Sequence, residues 1–146
     1  MTAATQDLLD SIAYIAWHGC KAIEQGAGSV KVALPLRDTM LNYVGAMHAG
    51  AIFTLAETAA GVVADSLARS LGAFILLRGA EVKYTRRALG ELVAAALADE
   101  PARRATAKRF ADDGRADLSV AVEICDGEKQ PVFEGAFHYA LRPRAS

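Results

Sequence analysis

Apolar residues fall at helical spacing between Thr5 and Glu24, with Leu8, Leu9, Ile12, Ile15, Ala16, Cys20 and Ile23 carrying the repeat. The pattern predicts one helix, with Thr5 as a candidate cap and Gln25-Gly26-Ala27-Gly28 as its end. Val30, Val32, Leu34 and Leu36 then alternate with Lys31, Ala33 and Pro35, which predicts a strand. Proline has no N–H for a ladder, so Pro35 confines that strand to an edge or marks the end of its pairing. Arg37 to Met47 reads as a polar loop. From about His48 to Ser70 the chain is apolar on nearly every side, as a buried helix is, and Gly72 ends it.

Beyond Gly72 the pattern becomes that of strands. Phe74 to Tyr84 is long and mostly apolar, Gly90 to Ala98 predicts a second strand, and Arg103 to Ala111 a third, closed by a turn at Asp112-Asp113-Gly114. Leu118 to Cys125 alternates well, Asp126-Gly127 signals a hairpin, and Val132 to Leu141 is the last strand. A long helix followed by a meander of strands predicts an α+β fold with the sheet packed around the helix.

Length and composition narrow the picture. A chain of 146 residues without a linker, repeat or low-complexity tract fits one domain, 1–146, with a real core. Its hydrophobic content of 53% is largely alanine, which predicts compact packing and a buried subunit interface rather than a membrane protein. No apolar run reaches the ~18 residues needed to span a bilayer. The first twenty residues carry Asp7 and Asp10 without a basic start, unlike a secretory signal. A net charge of −1 gives no global attraction to nucleic acid. Cys20 and Cys125 lack metal-ligand spacing and read as reduced structural thiols in a cytoplasmic protein, a disulfide being the lesser alternative. His18, His48 and His138 show no HxH or HExxH spacing, so no metal is expected. His18 reads as a partly exposed helix residue and His138 as structural.

The candidate chemistry lies between Asn42 and Asp65. Glu57 sits in the middle of the apolar helix, where a carboxylate is costly unless it is hydrogen-bonded or does chemistry. An interface ion pair is the plain alternative for it. The turn before the helix holds Asn42, Gly45, His48 and Gly50, and free N–H groups at a helix start suit an oxygen gaining negative charge. Asp65 reads as a surface or interface charge.

Asn42, His48-Ala49-Gly50 and Leu55-Ala56-Glu57-Thr58 match, without gaps, a motif of Asn, then His-Gly-Gly, then Leu-x-Asp/Glu. In this the chain resembles the hot-dog-fold thioesterases, in particular the phenylacetyl-CoA-type branch and a related thioesterase-like branch in which Glu and a relaxed Gly pair are usual. The resemblance runs from about Ser29 to Arg142. It implies an antiparallel sheet wrapped on a long central helix, here with an extra N-terminal helix, and a homodimer or homotetramer that hydrolyses an aryl or fatty acyl thioester of CoA or acyl carrier protein. It implies no cofactor other than the CoA of the substrate. The Ala49 and Gly50 N–H groups would polarise the carbonyl, Asn42 and His48 would hold the turn, and Glu57 would act across the dimer interface as base or nucleophile. Lys83, Arg86 and Arg87 would meet CoA phosphates. Two departures stand out. Ala49 replaces the first Gly of the pair, and the Ser or Thr that steers water in several members is missing from Phe74 to Val82, where Leu77 stands at about its place. Thr54 or Thr58 would have to substitute. Two other readings are a non-catalytic acyl-thioester binding protein and a hot-dog dehydratase.

Overall fold

The computed structural model describes residues 2–145. In chain order its elements are α1 (Thr2–Ser11), α2 (Ala13–His18), β1 (Lys21–Gly26), β2 (Ser29–Leu34), α3 (Ala49–Ser70), β3 (Ala73–Tyr84), β4 (Leu92–Leu97), α4 (Glu100–Asp113), β5 (Ala116–Cys125) and β6 (Pro131–Pro143). A short 3₁₀ turn covers Asp38–Met40. The strands form one sheet in the order β1-β2-β4-β5-β6-β3, every neighbouring pair antiparallel.

Small residues let this sheet close on α3. Ala56, Ala59, Ala60, Ala64 and Ala68 are fully buried along the helix, which packs against β2 through β6. A helix surface of alanines brings the backbone close, and the larger side chains come from the strands. On β5, Leu118, Val120, Val122 and Ile124 face α3 while Asp117, Ser119, Ala121 and Glu123 face outward. This is the wrapped arrangement expected. Among the described residues α3 is the one helix long and apolar enough to cross a membrane, and 67% of its most apolar window is buried within the fold.

Two expected elements are different. The helix predicted over Thr5 to Glu24 is two short helices and a strand. Gly19, at φ 75°, closes α2, and the chain turns into β1, which pairs with β2 through Ala27-Gly28. Thr5 is buried inside α1 instead of capping it, and its hydroxyl bonds Gln25 on β1. The strand predicted over Arg103 to Ala111 is α4. Asp99 caps it by accepting from the Ala102 N–H at 2.9 Å, Pro101 fits its first turn, and Gly114 at φ 72° closes it. Arg104–Glu100, Lys108–Asp112 and Arg109–Asp113 are all i,i+4 ion pairs. β2 is an interior strand, and Pro35 lies just beyond its end.

β3 is the sheet's far edge. Eleven of its twelve residues pair with β6, on one side only, with Arg78 in a bulge, and Leu76, Leu77, Val82 and Tyr84 remain exposed. An edge this long and apolar is a template for pairing with another chain.

Asp99→Ala removes the cap of α4 and should lower stability by about 1 kcal/mol in a denaturant titration. No loss would argue against the helical start at this position.

Candidate active site

The loop entering α3 is bound at both ends. The Asn42 N–H donates to the Ala46 carbonyl at 2.8 Å, and its side-chain oxygen accepts from the N–H groups of Val44 and Ala46, both at 3.0 Å. Gly45 takes the left-handed conformation that this tight loop needs, φ 80°. The His48 N–H donates to the Met40 carbonyl at 2.8 Å, and His48 itself caps α3, its Nδ1 accepting from the Gly50 N–H at 2.8 Å. That bond places the neutral ring's proton on Nε2. It also spends the Gly50 N–H. Ala49, the first residue of the helix, is exposed, and among the described residues its N–H has no acceptor. At the start of α3 the Ala49 N–H is therefore left as the free donor among the described residues.

Glu57 lies eight residues further along α3, a rise of ~12 Å. Its Oε2 accepts from the Tyr139 hydroxyl at 2.8 Å. Tyr139 projects from β6 and is buried. Burial pushes the Glu57 carboxyl above the usual carboxylate range, and the Tyr139 hydrogen bond pulls it part of the way back. Burial and the Glu57 charge push the Tyr139 phenol far up, so it stays a donor. Gly61, one turn beyond, makes room for the pair. A Cβ there would stand 3.3 Å from Glu57 Oε2 and 3.6 Å from the Tyr139 oxygen. Thr58 is buried, and its hydroxyl finds no partner among the described residues. Thr54, by contrast, donates back to the Gly50 carbonyl at 2.9 Å and lies 3.3 Å from the Tyr14 hydroxyl.

Glu57 and Thr58 open on a cavity of about 210 Å³ beneath α1 and α2. A larger concavity of about 660 Å³ lies on the outer face of the sheet, where Glu81, Lys83 and Glu134 line it. Near it Ser119 bonds His138 Nδ1 at 2.7 Å, and His138 Nε2 bonds Glu81 at 2.7 Å. Those strand amides are spent on the ladder, so that face offers no grip for a carbonyl oxygen.

Residues 18–141 match a family described as "Domain of unknown function (DUF4442)". The chain belongs to the DUF4442 family. No curated protein sequence matches it. Among solved structures it is similar to a Pseudomonas aeruginosa protein of unknown function described as "Probable Thioesterase", with 26% identity, a TM-score of 0.87, and coverage of 99% of this chain and 97% of that one. It is also similar to the PaaI protein of the phenylacetic acid degradation operon of E. coli, at 17% identity and TM-score 0.73 over 97% and 91% of the two chains. A Staphylococcus aureus thioesterase gives 17% and 0.73 over 90% and 99%. The fold is thus the hot-dog fold, shared with proteins of the thioesterase superfamily.

The same DUF4442 scaffold brings the cationic segment to the helix start. The Tyr84 hydroxyl donates to the Ala49 carbonyl at 3.2 Å, and the Met47 N–H donates to the Ala88 carbonyl at 2.9 Å. Arg86 and Arg87 lie between those two anchors, both exposed, with Arg86 bonded to Gln130 at 3.2 Å. Lys83 instead faces the outer concavity. Leu77 is exposed on β3 and does not line the Glu57 cavity. His18, expected to be partly exposed, is buried, its Nδ1 2.9 Å from the Tyr14 carbonyl oxygen. Cys20 and Cys125 are free thiols, and burial raises Cys20 to about 11. Asp65 pairs with Arg69 at 2.6 Å.

Sequence reasoning did not find Tyr139 or the α1–α2 cover. A tyrosine within an alternating apolar strand carries no mark of its partner. Its inward register with Leu118 on β5 is the only signal.

Because the folded Glu57 carboxyl is raised, the protein loses stability as pH climbs from the ordinary carboxylate range through that raised value. Glu57→Gln keeps an oxygen acceptor for Tyr139 and has no charge to desolvate. Its stability advantage over wild type should grow from pH 4 to pH 8 in urea titrations. An advantage independent of pH would contradict a desolvated carboxylate.

Proposed function

We propose that the protein is an acyl-CoA thioesterase whose site is shared between two copies of the chain. The observation that carries the reading is Glu57, a desolvated carboxylate held by Tyr139 at the head of a mostly apolar cavity, on the helix that begins with the free Ala49 N–H. One chain cannot use both groups on one carbonyl, since ~12 Å of helix separates them. Pairing of β3 with β3 of a second copy covers the exposed edge and supplies the second half of each site.

In this reading the Ala49 N–H receives the thioester oxygen, a contribution of ~3 kcal/mol as negative charge develops there. Glu57 of the other copy either takes a proton from the attacking water or attacks the carbonyl carbon itself to form an anhydride that water then opens. The thiolate leaves in both cases. Asn42 and His48 keep the turn rigid, and Arg86 and Arg87 meet the phosphates of CoA beside it. An acyl carrier protein would present the same thioester without the nucleotide. The lack of a Ser or Thr beside Glu57 on β3 favours, as a second reading, an acyl-thioester binding protein without turnover.

Thiol release over a series of acyl-CoAs tests the choice. Wild type should turn over, and Glu57→Ala should lose at least about 100-fold in kcat. Binding without turnover would select the second reading. Tyr139→Phe removes the bond that lowers the Glu57 pKa, so the ascending limb of its pH–rate profile should move to higher pH. An unmoved limb would remove Glu57 from the ionisation that governs the rate.

A further inference from the structure

We infer that the cavity beneath the N-terminal helices is the acyl-tail pocket, and that it covers about six to eight carbons of the tail, so that longer chains gain no further affinity from it. The inference rests on the thioesterase reading for what enters the pocket. Its size and walls are independent of that reading.

Leu8 of α1, Ile15 of α2 and Ile12 between the two helices form the roof, Val62 of α3 and Ile75 of β3 the sides, and Glu57 and Thr58 the polar head. The roof is fastened to the sheet. Gln6 accepts from the Ala22 N–H at 2.8 Å and donates to the Cys20 carbonyl at 3.1 Å, Thr5 bonds Gln25, and Leu9 is buried in the core. It therefore fixes the wall on that side, while the pocket stays partly open to solvent, with Ile12 exposed at the roof.

A dry apolar cavity of about 150 Å³ holds a benzene ring. The 210 Å³ found here scales to roughly eight carbons by the same measure. The tail is apolar because most of the wall is, and Asp65, the further charge on it, is paired with Arg69 at 2.6 Å. The head of the ligand is polar because the Thr58 hydroxyl, nearly fully buried, has no partner among the described residues. Its neighbour one turn earlier, Thr54, satisfies itself on the Gly50 carbonyl. Thr58 is left to bond the oxygen of an acyl head or the water beside it. A carbonyl set at Glu57 would send its tail directly under Ile12 and Ile15.

The test pairs kcat/KM over straight-chain acyl-CoAs from two to sixteen carbons with calorimetric binding of the non-hydrolysable S-alkyl-CoA thioethers. In wild type, affinity should rise about fourfold per carbon and stop rising at six to eight carbons. Ile12→Ala and Ile15→Ala should move that limit to longer tails, and Ile15→Trp to shorter ones. Ile12 is partly exposed, so its variant keeps the fold. Length-dependent binding that follows these variants without turnover of any ester would uphold the pocket and overturn the thioesterase reading. Turnover with a length profile indifferent to all three variants would overturn the pocket and leave that reading standing. Neither binding nor turnover would overturn both.

Discussion

A carboxylate on an otherwise apolar helix needs a donor, and here the donor is the Tyr139 hydroxyl. That one bond decides much of the rest. It requires β6 to place a tyrosine inward opposite α3, and Gly61 to leave the oxygen pair unobstructed. It keeps Glu57 partly desolvated yet able to ionise, the condition for a base on water or for a nucleophile. The alanine face of α3 serves the same end, since only a close approach of helix and sheet brings a phenol from β6 within 2.8 Å of the carboxylate.

Helix geometry supplies the second constraint. The Ala49 N–H stands at the first turn of α3 and Glu57 more than two turns on, so the two cannot meet on one thioester within one chain. The exposed β3 edge and the need for a second half-site point the same way. An assembly that pairs β3 would satisfy the sheet's backbone and complete the chemistry together.

Much of this architecture was legible in the residues. The long helix was readable because its apolar residues are continuous and His48 and Gly72 bracket them. The alternation of Leu118 to Cys125 gave β5, since that strand has one wet face. α4 was misread because it lies on the surface with Thr106 as its one buried residue, so no apolar period exists to see. Its helical signals are the Asp99 cap and the i,i+4 charges, which a hydrophobic pattern ignores. The N-terminal helix was drawn too long because β1 is mostly exposed and Ala22 and Ile23 extend the apolar spacing past Gly19. At the site, local motif spacing located the turn and Glu57. It could not reveal that His48 engages the Gly50 N–H, nor that Tyr139, 82 residues away in sequence, holds the acid, because both depend on tertiary placement.

The central claim is that the carbonyl-gripping amide and the acid come from different copies of the chain. Ala49→Pro removes the amide proton at the first helical position, where proline is well tolerated. Glu57→Ala removes the acid. Each variant alone should be inactive. Unfolding and refolding the two together in equal amounts should restore roughly a quarter of wild-type activity, because half the dimers are then mixed and each has one intact site. No recovery on mixing, with mixed dimers demonstrated by native mass spectrometry, would contradict the shared site.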